Sequence, residues 1–207
     1  EIVGSGDLNL AALNLIRSLG IDSMDDALLA IAENPEKTDA YRIKALGAMA
    51  PRIAKFSDSQ VDLVLANLNR ADNPGLRQDA GRILASANLS AQHKLAIANE
   101  QFKNVDALVL TSLIQLFSGE SDAALGDALI NGLMSNANIG DLLTEDQLET
   151  ALAEFPESVK AKAEPLRAKL AHRDAELTER FLSLEPQLGT GDVGRGRRIF
   201  FGDVAAC

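Results

Sequence analysis

Tryptophan is missing from this chain, and its 207 residues include one tyrosine and seven phenylalanines. So small an aromatic supply argues against an aromatic-lined pocket for a sugar or a flat cofactor. It predicts a core built from Leu, Ile, Val and Ala. There is a single cysteine, Cys207, so no internal disulfide can form. No apolar run approaches the roughly 20 residues that a membrane-spanning helix needs. The greasiest stretch, Val105 to Phe117, is interrupted by Thr111, Ser112 and Gln115, and reads as a buried core helix. Basic residues are outnumbered as well: 20 Lys and Arg stand against 30 Asp and Glu, a formal net charge of -10. An acidic surface repels phosphate, so nucleic acid is not an expected partner and an anionic membrane is disfavoured. The sequence has no Gly-rich phosphate loop, no serine nucleophile elbow and no HExxH. His93 and His172 lie far apart and are read as structural. No metal site and no catalytic residue is assigned.

What the sequence does have is helical periodicity. Apolar residues recur at three- and four-residue spacing, with Ser, Asp, Asn, Gly and Pro between the runs, and no stretch alternates long enough to suggest a sheet. The pattern predicts helices over Asp7–Leu19 (ended by Gly20), Ser23–Glu33, Asp39–Lys55 (kinked or shortened by Pro51) and Ser57–Asn69. Asn73-Pro74-Gly75 opens one ending near Ala87, Ser90 caps one to Phe102, and Asn104 caps Val105–Phe117. Ser121 starts Asp122–Ser135, and an Asn/Gly turn covers Asn136 to Gly140. Thr144 and Gln147 form a capping-box pair for a helix to Glu154, which Pro156 breaks. A long charged helix from Ser158 to Leu184 follows, with a kink expected at Pro165. The acid pairs Asp25-Asp26 and Glu145-Asp146 sit in first helical turns, where carboxylates complement the helix dipole. Met24, Met49 and Met134 fall on apolar stripes and are read as core filler.

The helices also repeat. Leu65-Ala66-Asn67 aligns with Ile97-Ala98-Asn99 and then with Leu129-Ile130-Asn131, each at an offset of 32 residues. The preceding helices align less tightly: Tyr41, Ala45, Ala48 and Met49 match Leu76, Ala80, Ile83 and Leu84, then Val109, Leu113, Leu116 and Phe117. A single pair of short helices cannot bury its apolar stripe alone, so successive pairs must lean on one another. Small residues at Ala45, Gly47, Ala80 and Gly81 suit close helix approach. Over Asp7 to Ser135 the pattern resembles HEAT- or armadillo-like arrays. The expected fold is all-α: a superhelix of antiparallel helix pairs, an α-solenoid, with a long C-terminal helix.

The tail is different in character. Gly194-Arg195-Gly196-Arg197-Arg198-Ile199-Phe200-Phe201 has the Gly-rich lead-in and first-helix pattern that opens a c-type cytochrome domain, and Cys207 falls where the first cysteine of C-x-x-C-H belongs. HEAT-like repeats followed by such a tail resemble the large secreted haem proteins of planctomycetes and verrucomicrobia. These join a propeller-type, dehydrogenase-like domain, a HEAT-like array and a C-terminal c-type cytochrome domain. The resemblance implies residues 1–187 as the helical repeat domain and 188–207 as a linker and the start of a truncated cytochrome domain. It implies a periplasmic or otherwise extracytoplasmic setting. It also implies haem c in the full-length parent, with Cys207 forming a thioether there, and no cofactor in this segment. Beginning at Glu1, the chain is expected to be a piece of something longer.

Two functional expectations follow. The first is a non-catalytic scaffold or docking segment of a larger electron-transfer protein, its partners being a protein or peptide and the neighbouring redox domains of the same chain. The second is a general peptide- or protein-binding module with no redox role. Asn67, Asn99 and Asn131 recur once per repeat, and in armadillo-type arrays an asparagine ladder clamps an extended peptide, since an amide both donates and accepts. The competing reading is local: asparagine near a helix end satisfies backbone groups of its own turn. Arg195, Arg197 and Arg198 face either a haem propionate or, as charge runs usually do, solvent.

Overall fold

A computed structural model describes residues 5–68, 70, 72–189 and 191–202, and these are all-α; among them there is no strand. Helix α1 (Ser5–Leu19) ends at Gly20, whose φ of 62° is the left-handed conformation that glycine adopts without penalty. A short 3₁₀ turn leads into α2 (Asp25–Glu33). Helix α3 (Asp39–Met49) stops where Pro51 forces a 3₁₀ turn over Ala50–Arg52, because proline cannot donate to the preceding turn. Next come α4 (Asp58–Leu68) and α5 (Pro74–Ser86), with Asn73 accepting from the Leu76 amide. In α6 (Ala91–Glu100), Ser90 accepts from the His93 amide. Asn104 does not cap the following helix. It is absorbed into a 3₁₀ turn over Phe102–Asn104, and Asp106 caps α7 (Ala107–Gln115). Asp122, rather than Ser121, supplies the capping oxygen of α8 (Ala123–Ser135).

The Asn/Gly segment contains a single helical turn, α9 (Ile139–Leu142). The capping box of Thr144 and Gln147 starts α10 (Glu145–Leu152). The expected long helix is interrupted near its start. Helix α11 (Glu157–Lys160) and a 3₁₀ turn over Ala161–Ala163 precede α12 (Glu164–Leu188), a helix of 25 residues. Pro165 therefore causes no kink: it sits in the first turn of α12, where its missing N–H has no helical partner to lose. Helix α13 (Val193–Phe200) is capped by Asp192. The expected helix ending at Asn69 stops at Leu68; Asn69 lies outside the described residues.

Helices pack on near neighbours in sequence. Helix α1 lies on α3, α3 on α5, α5 on α7 and α7 on α10; α2 packs on α3, α4 on α5 and α6 on α8. The core is mostly aliphatic, as composition predicts, yet Phe56, Phe102 and Phe117 are among its largest fully buried side chains. Phe102 and Phe117 meet in a tilted pair with centroids 6.0 Å apart. Of the three methionines only Met49 is in the core; Met24 and Met134 are exposed, which corrects their reading as filler.

Glycines set the closest approaches. At Gly132 in α8 an added Cβ would overlap the Ala98 carbonyl oxygen of α6. At Gly126 it would come within 2.6 Å of Val159 and 2.8 Å of Phe155. Gly47 meets Ile83, and Gly81 meets Ser112, at 3.3 and 3.2 Å.

Candidate functional site

The three repeat asparagines occupy different environments. Asn67 in α4 is fully buried; its amide donates to the Leu63 carbonyl one turn back at 2.8 Å, and its Oδ1 has no partner. Asn99 and Asn131 are exposed. Asn67 is therefore closed to a peptide, and its hydrogen bond is the local kind that asparagine makes within a helix. The asparagine with the most cross-links is one the sequence reading placed only in a turn. Asn136 is buried, donates to the carbonyls of Phe102 and Val105, and accepts from the Asn138 amide. It ties the α8–α9 corner to the α6–α7 corner. Its signal in the sequence was only its place after the last residue of α8.

Cys207 lies outside the described residues. The lead-in before it forms α13, with Ile199, Phe200 and Phe201 exposed and Phe200 edge-on to Phe201 at 5.0 Å. Its apolar residues and its arginines lie on opposite faces. The outer half of α12 also presents Leu177, Phe181, Leu182 and Leu184 to solvent. Leu177, Phe181 and Leu184 continue the stripe that buries Leu166 and Leu170 nearer the start of the helix. The change comes at Arg173, whose guanidinium donates to the carbonyls of Gly140 and Leu143.

Neither histidine lies in a group that holds a metal. Among the described residues no three or more His, Cys, Asp and Glu side chains converge in that way. His93 reaches Asp58 through Nε2 at 2.9 Å, and its Nδ1 is buried without a partner. His172 is exposed and lies 3.5 Å from Glu176, one turn along α12. Among the described residues no helix is long and apolar enough to cross a membrane.

The first-turn acid Asp25 does more than oppose a dipole. Arg52, from the turn after α3, donates to both of its oxygens and holds its carboxyl below the ordinary range. Arg167 in α12 grips Glu149 of α10 in the same two-pronged way.

Two concavities among the described residues bear on binding. Between α7 and α10 an open groove of about 450 Å³ is lined by Thr111, Ile114, Gln115, Ser118, Gln147 and Thr150, among others, with Gln147 donating to Thr111 at 3.1 Å across it. Between α1, α3 and α5 a smaller cavity of about 170 Å³ has an apolar floor of Ile43, Gly47, Pro51 and Ile83. Its polar wall is Asp79, ringed by Arg17, Lys44 and Arg82.

The chain matches no family model, no curated protein and no solved structure.

Proposed function

We propose that the chain is a non-catalytic α-solenoid of HEAT/armadillo-like helix pairs. On this reading it serves as a scaffold or docking segment in a larger extracytoplasmic protein that carries a c-type cytochrome domain. The observation that supports the repeat architecture is the separation of its tertiary polar contacts. Lys44–Asp79, His93–Asp58 and Lys162–Asp127 each join residues 35 apart. Asn88 to the Ala54 carbonyl and Asn136 to the Phe102 carbonyl each span 34. A stack in which each pair touches only its neighbours produces a dominant separation of one repeat length.

The redox half rests on the lead-in motif and on the exposed apolar face of α13. Ile199, Phe200 and Phe201 are the residue types that a packed domain covers. A stiff stack ending in the projecting α12 suits the holding of one domain at a set distance from another. Haem c would attach through Cys207 in the parent.

The test is to read the parent gene beyond Cys207 and express the extended protein with a haem-attachment system. A Cys-x-x-Cys-His sequence and a covalent haem band that survives denaturing electrophoresis are expected. A different continuation, or a chain without haem, removes the redox half and leaves the solenoid.

One observation favours the general binding module as a second reading. The open groove between α7 and α10 offers hydroxyl and amide groups at Thr111, Gln115 and Gln147, a lining suited to an extended peptide. Asn99 and Asn131 are exposed and available to such a partner; Asn67 is not.

A further inference from the structure

In a chain of net charge -10, the cavity between α1, α3 and α5 reverses the local sign: three cations surround one carboxylate. Lys44 donates to one Asp79 oxygen at 3.0 Å and Arg82 to the other at 3.0 Å. Arg17 approaches to 3.8 Å, beyond hydrogen-bond reach. This Arg17–Asp79 pair joins α1 to α5, the two helices that both pack on α3.

A guanidinium has five N–H donors. Arg82 spends one of its donors on Asp79, and Arg17 makes only the long ionic contact. Both arginine side chains line the cavity and are more than a third exposed, whereas Asp79 is only 16% exposed. Below them the floor is apolar. A volume of about 170 Å³ holds the equivalent of roughly five or six waters, too little for a drug-sized ligand but enough for a short branched side chain.

We propose that this cavity binds a carboxylate carried on a short apolar body. The unspent arginine donors take the two oxygens as a fork, and the apolar part rests on Gly47 and Pro51, the lining residues of the floor that are open to solvent. A peptide C-terminus with a small apolar last residue and a free short-chain fatty acid share this chemistry. The site is independent of the haem reading.

The test uses the intact chain, isotope-labelled, with N-acetylvaline, butyrate and N-acetylvaline N-methylamide as probes. Backbone amide shifts of Gly47, Ile83 and Ser86 are followed by NMR. Both carboxylates are expected to shift these amides saturably, and the neutral amide is not. A lower dissociation constant for N-acetylvaline identifies a chain terminus as the source, and a lower one for butyrate a free acid. Arg82→Gln, at an exposed position, is expected to weaken binding about tenfold, the loss of one charge-assisted pair. Asp79→Asn removes the competing internal carboxylate and is expected to tighten it. The proposal is overturned by the absence of shifts with either carboxylate, by equal shifts with the neutral amide, or by Arg82→Gln binding as the parent does.

Discussion

At the scale of single residues, position in the fold divides side chains that the sequence presents as equivalent. Asn67 and Asn136 are both buried, but Asn67 leaves an oxygen unpaired and Asn136 satisfies three backbone groups. Replacing Asn67 with Leu removes an unsatisfied oxygen and fills similar space, so urea denaturation is expected to show stability unchanged or raised. Asn136→Ala strands buried carbonyls and is expected to cost about 2–3 kcal/mol in the same measurement. Asn99→Ala and Asn131→Ala, on the surface, are expected to stay within about 0.5 kcal/mol. The repeat alignment treats Asn67, Asn99 and Asn131 as corresponding positions, but alignment carries no information about which way each side chain turns. Glycine is legible in a similar, partial way. Gly47 and Gly81 were read as close contacts, and they are. The tighter crossing at Gly132 was not foreseen, because it depends on the Ala98 carbonyl of another helix. Gly132→Ala must displace backbone and is expected to cost about 1–3 kcal/mol.

At the scale of elements, the ends of helices were the most readable feature where the cap chemistry is local. The Thr144–Gln147 box, the Asn73 and Ser90 caps and the Pro51 stop all follow from groups within a turn of one another. Thr144→Ala is expected to cost about 1 kcal/mol. The misplaced cap at Asn104 and the unforeseen break at Ala161–Ala163 have a different origin. In both places a buried side chain, Phe102 or Ala163, sets the chain direction through tertiary packing. The Asp25–Arg52 pair links α2 to the turn after α3 and confers a pH dependence. Its carboxyl is held below the ordinary value by the Arg52 hydrogen bonds, so its contribution to stability is fully present above the unfolded-state pKa of about 4. The contribution fades as pH falls from there through the lowered folded-state value. The stability difference between the parent chain and Asp25→Asn is therefore expected to be constant near neutrality and to shrink steadily below about pH 4. A difference that grows on acidification would show that the pair does not act this way.

At the scale of the whole molecule, the apolar stripe of α12 separates a part that belongs to the core from a part that does not. Ending the chain after Ala175 removes Leu177, Phe181, Leu182 and Leu184, all exposed, and is expected to leave the denaturation midpoint unchanged while reducing self-association. Ending it after Ala163 also removes Leu166 and Leu170, and is expected to lower stability by about 1.5–3 kcal/mol for each. The sequence showed only a long charged helix, and periodicity alone does not say where the covering layer stops. That boundary is drawn by Arg173, among the described residues the last side chain of α12 bonded to the body. Past it, at about 1.5 Å per residue, some 20 Å of rod extends, with residues 174–187 all exposed. The two carbonyls of Gly140 and Leu143 thus serve as the hinge-pin of a cantilever. An error of a few degrees there is magnified into ångströms at the tip. Arg173→Ala should cost about 1.5–3 kcal/mol of stability and also broaden the spread of spin-label distances between Leu188 and the body, so the aim of whatever the rod carries is set at its root.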